Sequence, residues 1–114
     1  MPMTQRATSL IQNLESEVKS VDPSNVAEYL NNCQNYLENI KYFHEIDPEG
    51  AKAIGIVEAN ISAVSATMRQ YGMHNEQGHS EVETMRQSAL SAIKALAKHL
   101  EHTKLNDRGN ALGV

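Results

Sequence analysis

Apolar residues recur along this chain at alternating intervals of three and four positions. After Asp22 they fall at Val26, Tyr29, Cys33, Tyr36, Ile40 and Phe43, and after Asp47 at Ile54, Val57, Ile61, Val64, Met68 and Tyr71. This spacing places apolar side chains along one face of an α-helix, whereas a half-buried strand alternates every two residues. The chain of 114 residues is therefore predicted to be all-α.

Helix start and stop signals divide the pattern into four segments. Asp22-Pro23 and Asp47-Pro48 each combine an N-cap carboxylate with a proline at the first helical position. Residues 80–83, Ser-Glu-Val-Glu, match a capping box, and Gly72 is typical of a position that ends a helix. These signals predict helices at about 4–20, 23–46, 48–72 and 80–105, with a loop at 73–79.

Four amphipathic helices with short connections favour an antiparallel four-helix bundle. In the main alternative, helices two and three form one long helix that is kinked at Pro48. In both arrangements we expect residues 1–105 to form a single domain and residues 106–114 to form a short, flexible C-terminal tail.

Charge and cysteine content limit the function classes. Ten Lys and Arg residues stand against fourteen Asp and Glu residues, which argues against a surface that wraps a polyanion. Cys33 is the single cysteine and lies on an apolar stripe, so it is expected to be a buried thiol in a reducing compartment. The polar N-terminus and the absence of a long apolar run predict a soluble, cytoplasmic protein without a membrane segment.

Catalytic motifs are missing from the sequence. It contains no Gly-x-Ser-x-Gly elbow and no phosphate-binding glycine loop, and Cys33 is unsuited to nucleophilic attack on its apolar stripe. The protein is therefore predicted to be no enzyme and to need no cofactor.

The preferred interpretation is a helical protein that acts through protein–protein contacts, as a homo-oligomer or as an adaptor or accessory subunit. Small residues at helical spacing in helix three would let another helix approach closely. Tyrosines and leucines of helix two would anchor an interface, since tyrosine is enriched at binding hot spots. The candidate interface residues are Tyr29, Leu30, Tyr36, Leu37, Gly55, Ala59, Ser62 and Ala66.

A DNA-binding regulator is the first alternative. Residues 54–71 loosely resemble the turn and recognition helix of a helix-turn-helix motif, in which polar side chains enter the major groove. The residues that would contact DNA are Ser62, Ser65, Thr67 and Arg69. Against this alternative, the apolar spacing continues unbroken through Asn60.

A metal-binding bundle is the second alternative. In an antiparallel bundle, the ends of helices two and four lie at the same pole, which brings His44 towards His99 and His102. Imidazoles with a nearby carboxylate suit zinc or nickel. Histidine at a helix C-terminus is also explained by its interaction with the helix dipole.

Overall fold

A computed structural model describes residues 4–72, 75–103 and 105 and shows four α-helices. They are α1 (Gln5–Ser20), α2 (Val26–Phe43), α3 (Pro48–Tyr71) and α4 (Glu76–Leu100). Each helix packs against its neighbours in the chain, and α1 also packs against α4, so the helices close into a four-helix bundle of 49 × 22 × 19 Å. The predicted all-α bundle is confirmed.

Local capping explains why α1 and α3 begin where they do. The Thr4 side chain accepts a hydrogen bond from the Ala7 amide at 3.1 Å. The Asp47 carboxylate accepts one from the Gly50 amide at 2.7 Å, with Pro48 at the first helical position. These side chains satisfy amides that have no partner within the helix. The predicted bounds of both helices are right to within one residue.

Helix α2 is shorter than predicted at both ends. The Asp22 carboxylate accepts a hydrogen bond from the Ser24 amide at 2.8 Å, so residues 23–25 form a turn and the helix begins at Val26. At the other end, His44 is extended, with φ −118° and ψ 149°, and its backbone pairs with that of Leu105. The alternative of one long helix kinked at Pro48 is therefore wrong.

Helix α4 begins earlier than its predicted capping box at Ser80. The Asn75 side chain accepts a hydrogen bond from the Gly78 amide at 2.7 Å and starts the helix at Glu76, so residues 76–79 are helical instead of forming a loop. The helix ends at Leu100, not at 105. Met73, His74 and the predicted tail at 106–114 lie outside the described residues.

The core is aliphatic and follows the predicted stripes. Its largest fully buried aliphatic side chains are Leu14, Ile40, Ile54, Ile93, Leu96, Val18, Val21, Val57, Val64 and Val82. Full burial of one such side chain contributes about 1.5–3 kcal/mol before entropy is counted. Within the described ranges, none of the helices has the length and apolarity needed to cross a membrane.

Candidate functional site

Helices α2 and α3 pack less closely than the other neighbouring helices and leave a groove between them. The groove has a volume of about 260 Å³ and combines apolar walls with polar and acidic groups at its rim. It is lined by Leu30, Cys33, Gln34, Leu37, Glu58, Ile61 and Ser62. We call this surface the α2–α3 groove.

Tyr29 links α2 to α3 by a hydrogen bond beside the groove. Its hydroxyl donates a hydrogen bond to the Ile61 carbonyl oxygen at 2.9 Å, and its side chain is 1% exposed. Burial raises the pKa of Tyr29, so the hydroxyl stays protonated and able to donate. Tyr29 is therefore part of the core and is not an accessible interface anchor.

Ser65 has a buried hydroxyl that finds no hydrogen-bond partner among the described residues. A helical serine commonly donates to the carbonyl four residues earlier, which here is that of Ile61. That carbonyl already accepts from the Tyr29 hydroxyl. The Ser65 hydroxyl therefore lies in the core, near the contact between α2 and α3, without a hydrogen bond to a described residue.

The other predicted residues of α2 are not equally accessible. Leu37 is buried, which removes it as a surface anchor, whereas Leu30 and Tyr36 are half-buried and pack against the core. These two keep an accessible edge because they lie at the margin of the apolar stripe. Burial, with a smaller effect from Glu17, raises the pKa of the Cys33 thiol to about 12.

The small residues of α3 face outward. Gly55, Ala59, Ser62 and Ala66 are all exposed, and an added Cβ at Gly55 would meet nothing within 4 Å. We call these four residues the α3 strip. No helix in the described part of the chain covers the strip, so the expected close helix contact there is not made within the bundle.

Helices α3 and α4 instead approach each other closely at Gly50, which lies on the inner face of α3. A Cβ at Gly50 would lie 3.1 Å from His99 Nε2. Ile56 lies off the inward stripe of α3, as its position in the sequence predicts. It is 47% exposed and lies beside the strip on α3.

Charge at the groove is sparse and partly paired. Lys41 Nζ lies 3.2 Å from Glu38 Oε1 and 3.9 Å from Glu58 Oε1, and so joins α2 to α3 at one end of the groove. All three side chains are substantially exposed, so solvent screening leaves these pairs little contribution to stability.

The residues of the DNA-binding alternative do not form a reading surface. Helix α3 is continuous from Pro48 to Tyr71, so the segment 54–71 contains no turn. Ser65 is buried, and the Thr67 hydroxyl donates to the Ala63 carbonyl at 2.7 Å. Only Ser62 and Arg69 of the predicted set are exposed, because the other two belong to inner or flanking positions of α3.

The residues of the metal-binding alternative also do not form one site. The ends of α2 and α4 do meet at one pole, but His44 is buried, His102 is exposed, and His99 Nε2 lies 3.0 Å from Asp47 Oδ1. Over residues 4–72, 75–103 and 105, no three His, Cys, Asp or Glu side chains come together to hold a metal ion. The three histidines therefore occupy different environments instead of one site.

Arg86 is a structural residue that the sequence analysis missed. Its guanidinium donates to the carbonyls of Val18 and Val21 at 2.7 and 2.6 Å and to the Glu83 carboxylate at 3.0 Å. These contacts close the C-terminal end of α1 against α4. They link residues 65 and 68 positions apart, which helical spacing cannot reveal.

The fold places the chain in the class of all-α four-helix bundles. Comparison with protein families, curated proteins and solved structures finds no match to the chain in any of the three. The surface of the chain itself is therefore the basis for inferring its function.

Proposed function

We propose that this protein acts without catalysis, by binding another protein or a second copy of itself through the face formed by α2 and α3. The observation that carries the proposal is the α2–α3 groove lying directly beside the α3 strip. Ser62 belongs to both, so the two features form one continuous surface.

The chemistry of this face suits a helix or an apolar segment of a partner. Leu30 offers an accessible apolar edge in the groove, and Ile56 adds exposed apolar area beyond the strip. Small side chains such as Ala59 allow a partner backbone to approach closely at little cost in side-chain entropy. The uncharged strip also avoids the cost of desolvating ions at the centre of an interface.

Gly55, in the α3 strip, lowers the stability of its helix, and no contact in the described part of the bundle requires a glycine there. Glycine inside a helix is destabilising by about 0.5–1 kcal/mol relative to alanine. At Gly55 there is room for a methyl group, so intrachain packing does not require the glycine. Close approach by a second molecule supplies a reason for it.

Self-association is the first form of the proposal to test. The untagged protein is examined by size-exclusion chromatography with light scattering over a range of concentrations, with and without EDTA. We expect a dimer or larger assembly that is indifferent to EDTA. A monomer at every concentration would exclude self-association and direct the test to a separate partner.

A matched pair of variants locates the surface. Ser62→Arg places a long, charged side chain in the groove, whereas Ser91→Arg makes the same change at an exposed position of α4. We expect the first variant to dissociate the assembly or to lose proteins captured by the wild type, and the second to behave as the wild type. Equal behaviour of the two variants would contradict the proposed surface.

A further inference from the structure

The α3 strip is bounded by a positive charge at each end. Lys52 precedes it by three residues and Arg69 follows it by three, so both lie on the same outward line of α3, about 25 Å apart at 1.5 Å per residue. Both side chains are exposed, and neither forms an ion pair with a residue in the described part of the chain. We call Lys52, the α3 strip and Arg69 together the α3 line.

The outward side of α2 carries the opposite charge at the same intervals of three and four residues. Its exposed positions, which we call the α2 line, are Glu28, Asn31, Asn35, Glu38, Tyr42 and, just after the helix ends, Glu45. Glu38 is paired with Lys41, whereas Glu28 and Glu45 form no ion pair with any described residue. The α2 line is therefore acidic at both ends, where the α3 line is basic.

We propose, on the basis of the proposed function, that the partner of the α2–α3 face is a second copy of this chain, and that the α2 line of each copy lies on the α3 line of the other. A twofold axis parallel to the helices produces this arrangement, because it places α2 of one copy over α3 of the other and the reverse. The two contacts are equivalent, so each pair of residues that meets across the interface is formed twice.

The packing of α2 against α3 within one copy determines which residues of the two lines meet. Lys41 and Ala51 line one cleft between the helices, whereas Leu30 and Ser62 line the α2–α3 groove further along. The start of α2 therefore lies beside the end of α3. A twofold axis parallel to the helices keeps every residue at the same height along the bundle. The start of α2 in one copy thus also lies opposite the end of α3 in the other.

This register brings unlike charges together at both ends of each contact. Glu45 of one copy lies opposite Lys52 of the other, and Glu28 lies opposite Arg69. Unlike charges at the rim of an interface favour one orientation of the partners over others. A twofold axis perpendicular to the helices would instead lay each line on its own copy in the opposite direction. It would bring Lys52 to Arg69 and Glu28 to Glu45, so like charges disfavour that arrangement.

The sizes of the facing side chains also match in this register. Tyr42 of one copy, which is 48% exposed in the single chain, lies opposite Gly55 of the other. An added Cβ at Gly55 would meet nothing within 4 Å, so the open position can receive a large ring. Tyrosine is among the residues that contribute most to binding at interfaces. The second copy therefore accounts for a glycine that packing within the described part of the bundle does not require.

Charge reversal tests the pairing, with the dissociation constant of the untagged dimer measured by sedimentation equilibrium. Lys52→Glu and Glu45→Lys each place like charges at two equivalent contacts, so we expect each to raise the dissociation constant about five- to thirtyfold. The double variant restores unlike pairs and should return to within about threefold of the wild type. Lys94→Glu makes the same charge change at an exposed position of α4 and should leave the dissociation constant unchanged.

A size variant provides a second test that does not depend on charge. Gly55→Leu has room for its side chain in the single chain but fills the space that Tyr42 of the second copy would occupy. We expect it to raise the dissociation constant by more than about tenfold without lowering the helix content in circular dichroism. An unchanged dissociation constant would overturn the proposed register.

The outcomes separate this pairing from the proposed function. Weakening by both single charge variants with recovery in the double variant supports the pairing. A dimer in which the double variant is no tighter than the single variants overturns the pairing, whereas the proposed face still stands if Ser62→Arg dissociates that dimer and Ser91→Arg does not. A monomer at every concentration overturns the second copy as the partner and leaves the proposed function to the test with a separate protein.

Discussion

Removing the Arg86 guanidinium should loosen the end of α1 from α4. The side chain of Arg86 is 9% exposed, and two of its nitrogens donate to the carbonyls of Val18 and Val21. Carbonyls in the last turn of a helix have no partner within that helix. Arg86→Met keeps most of the aliphatic stem but supplies no donor, so both carbonyls lose their hydrogen bonds.

The expected loss in the free energy of unfolding follows from these hydrogen bonds. A hydrogen bond from a charged group contributes about 1.5–3 kcal/mol, so two give an upper range of about 3–6 kcal/mol. Relief from burying a charge offsets part of this loss. The contact with Glu83 adds at most about 1 kcal/mol because that carboxylate is 44% exposed. We expect Arg86→Met to reduce the free energy of unfolding by about 2–4 kcal/mol.

Equilibrium unfolding in urea, followed by far-UV circular dichroism, measures this loss. Arg69→Met is the matched control, since Arg69 is an exposed arginine on α3, and should change stability by less than about 0.5 kcal/mol. Arg86→Lys keeps the charge but not the two-pronged donor geometry, and should fall between the wild type and Arg86→Met. Equal unfolding midpoints for Arg86→Met and Arg69→Met would refute the reasoning.

Three further predictions concern glycine packing, thiol reactivity and acid stability. Gly78→Ala should destabilise the protein by about 1–3 kcal/mol in thermal unfolding, because its Cβ would overlap the carbonyl oxygen of Gly72. Gly55→Ala, with open space around it, should instead stabilise the monomer by about 0.5–1 kcal/mol. Cys33, with its pKa raised to about 12, should react with Ellman's reagent far more slowly in the native protein than in urea, and similar rates would contradict its burial. The Gly50 amide, and to a smaller extent His99, lowers the pKa of Asp47, so its stabilising effect is present above 3.8 and is lost as the pH falls through the folded-state value. Asp47→Ala should therefore lower the melting temperature at neutral pH, and a difference from the wild type that does not shrink in acid would contradict this.

Local sequence signals were reliable where one short segment contains the whole interaction. The Asp47 cap and the stop at Gly72, whose φ is 69°, each depend on a few consecutive residues and were predicted correctly. The start of α4 was misplaced because residues 80–83 match a capping box, whereas the structure caps the helix five residues earlier, at Asn75. Packing of Gly78 against the end of α3 favours the earlier start.

Site prediction was weaker because it required knowing which side of each helix faces outward. Apolar periodicity located the inward face and correctly placed Cys33 in the core. It could not decide the surroundings of small residues, because alanine, glycine and serine are compatible with both tight packing and exposure. The α3 strip, predicted to belong to an interface, is exposed and is not covered by another helix in the described part of the chain.

The four amphipathic helices and the residues of their apolar stripes could be predicted from the sequence, because these properties depend on spacing within one helix. The contacts that join distant segments could not be predicted in this way. Tyr29 meets the Ile61 carbonyl, Arg86 closes the end of α1, and His44 pairs with Leu105. Such contacts depend on the axial offset and rotation of one helix against another, which are determined only when all the helices pack together.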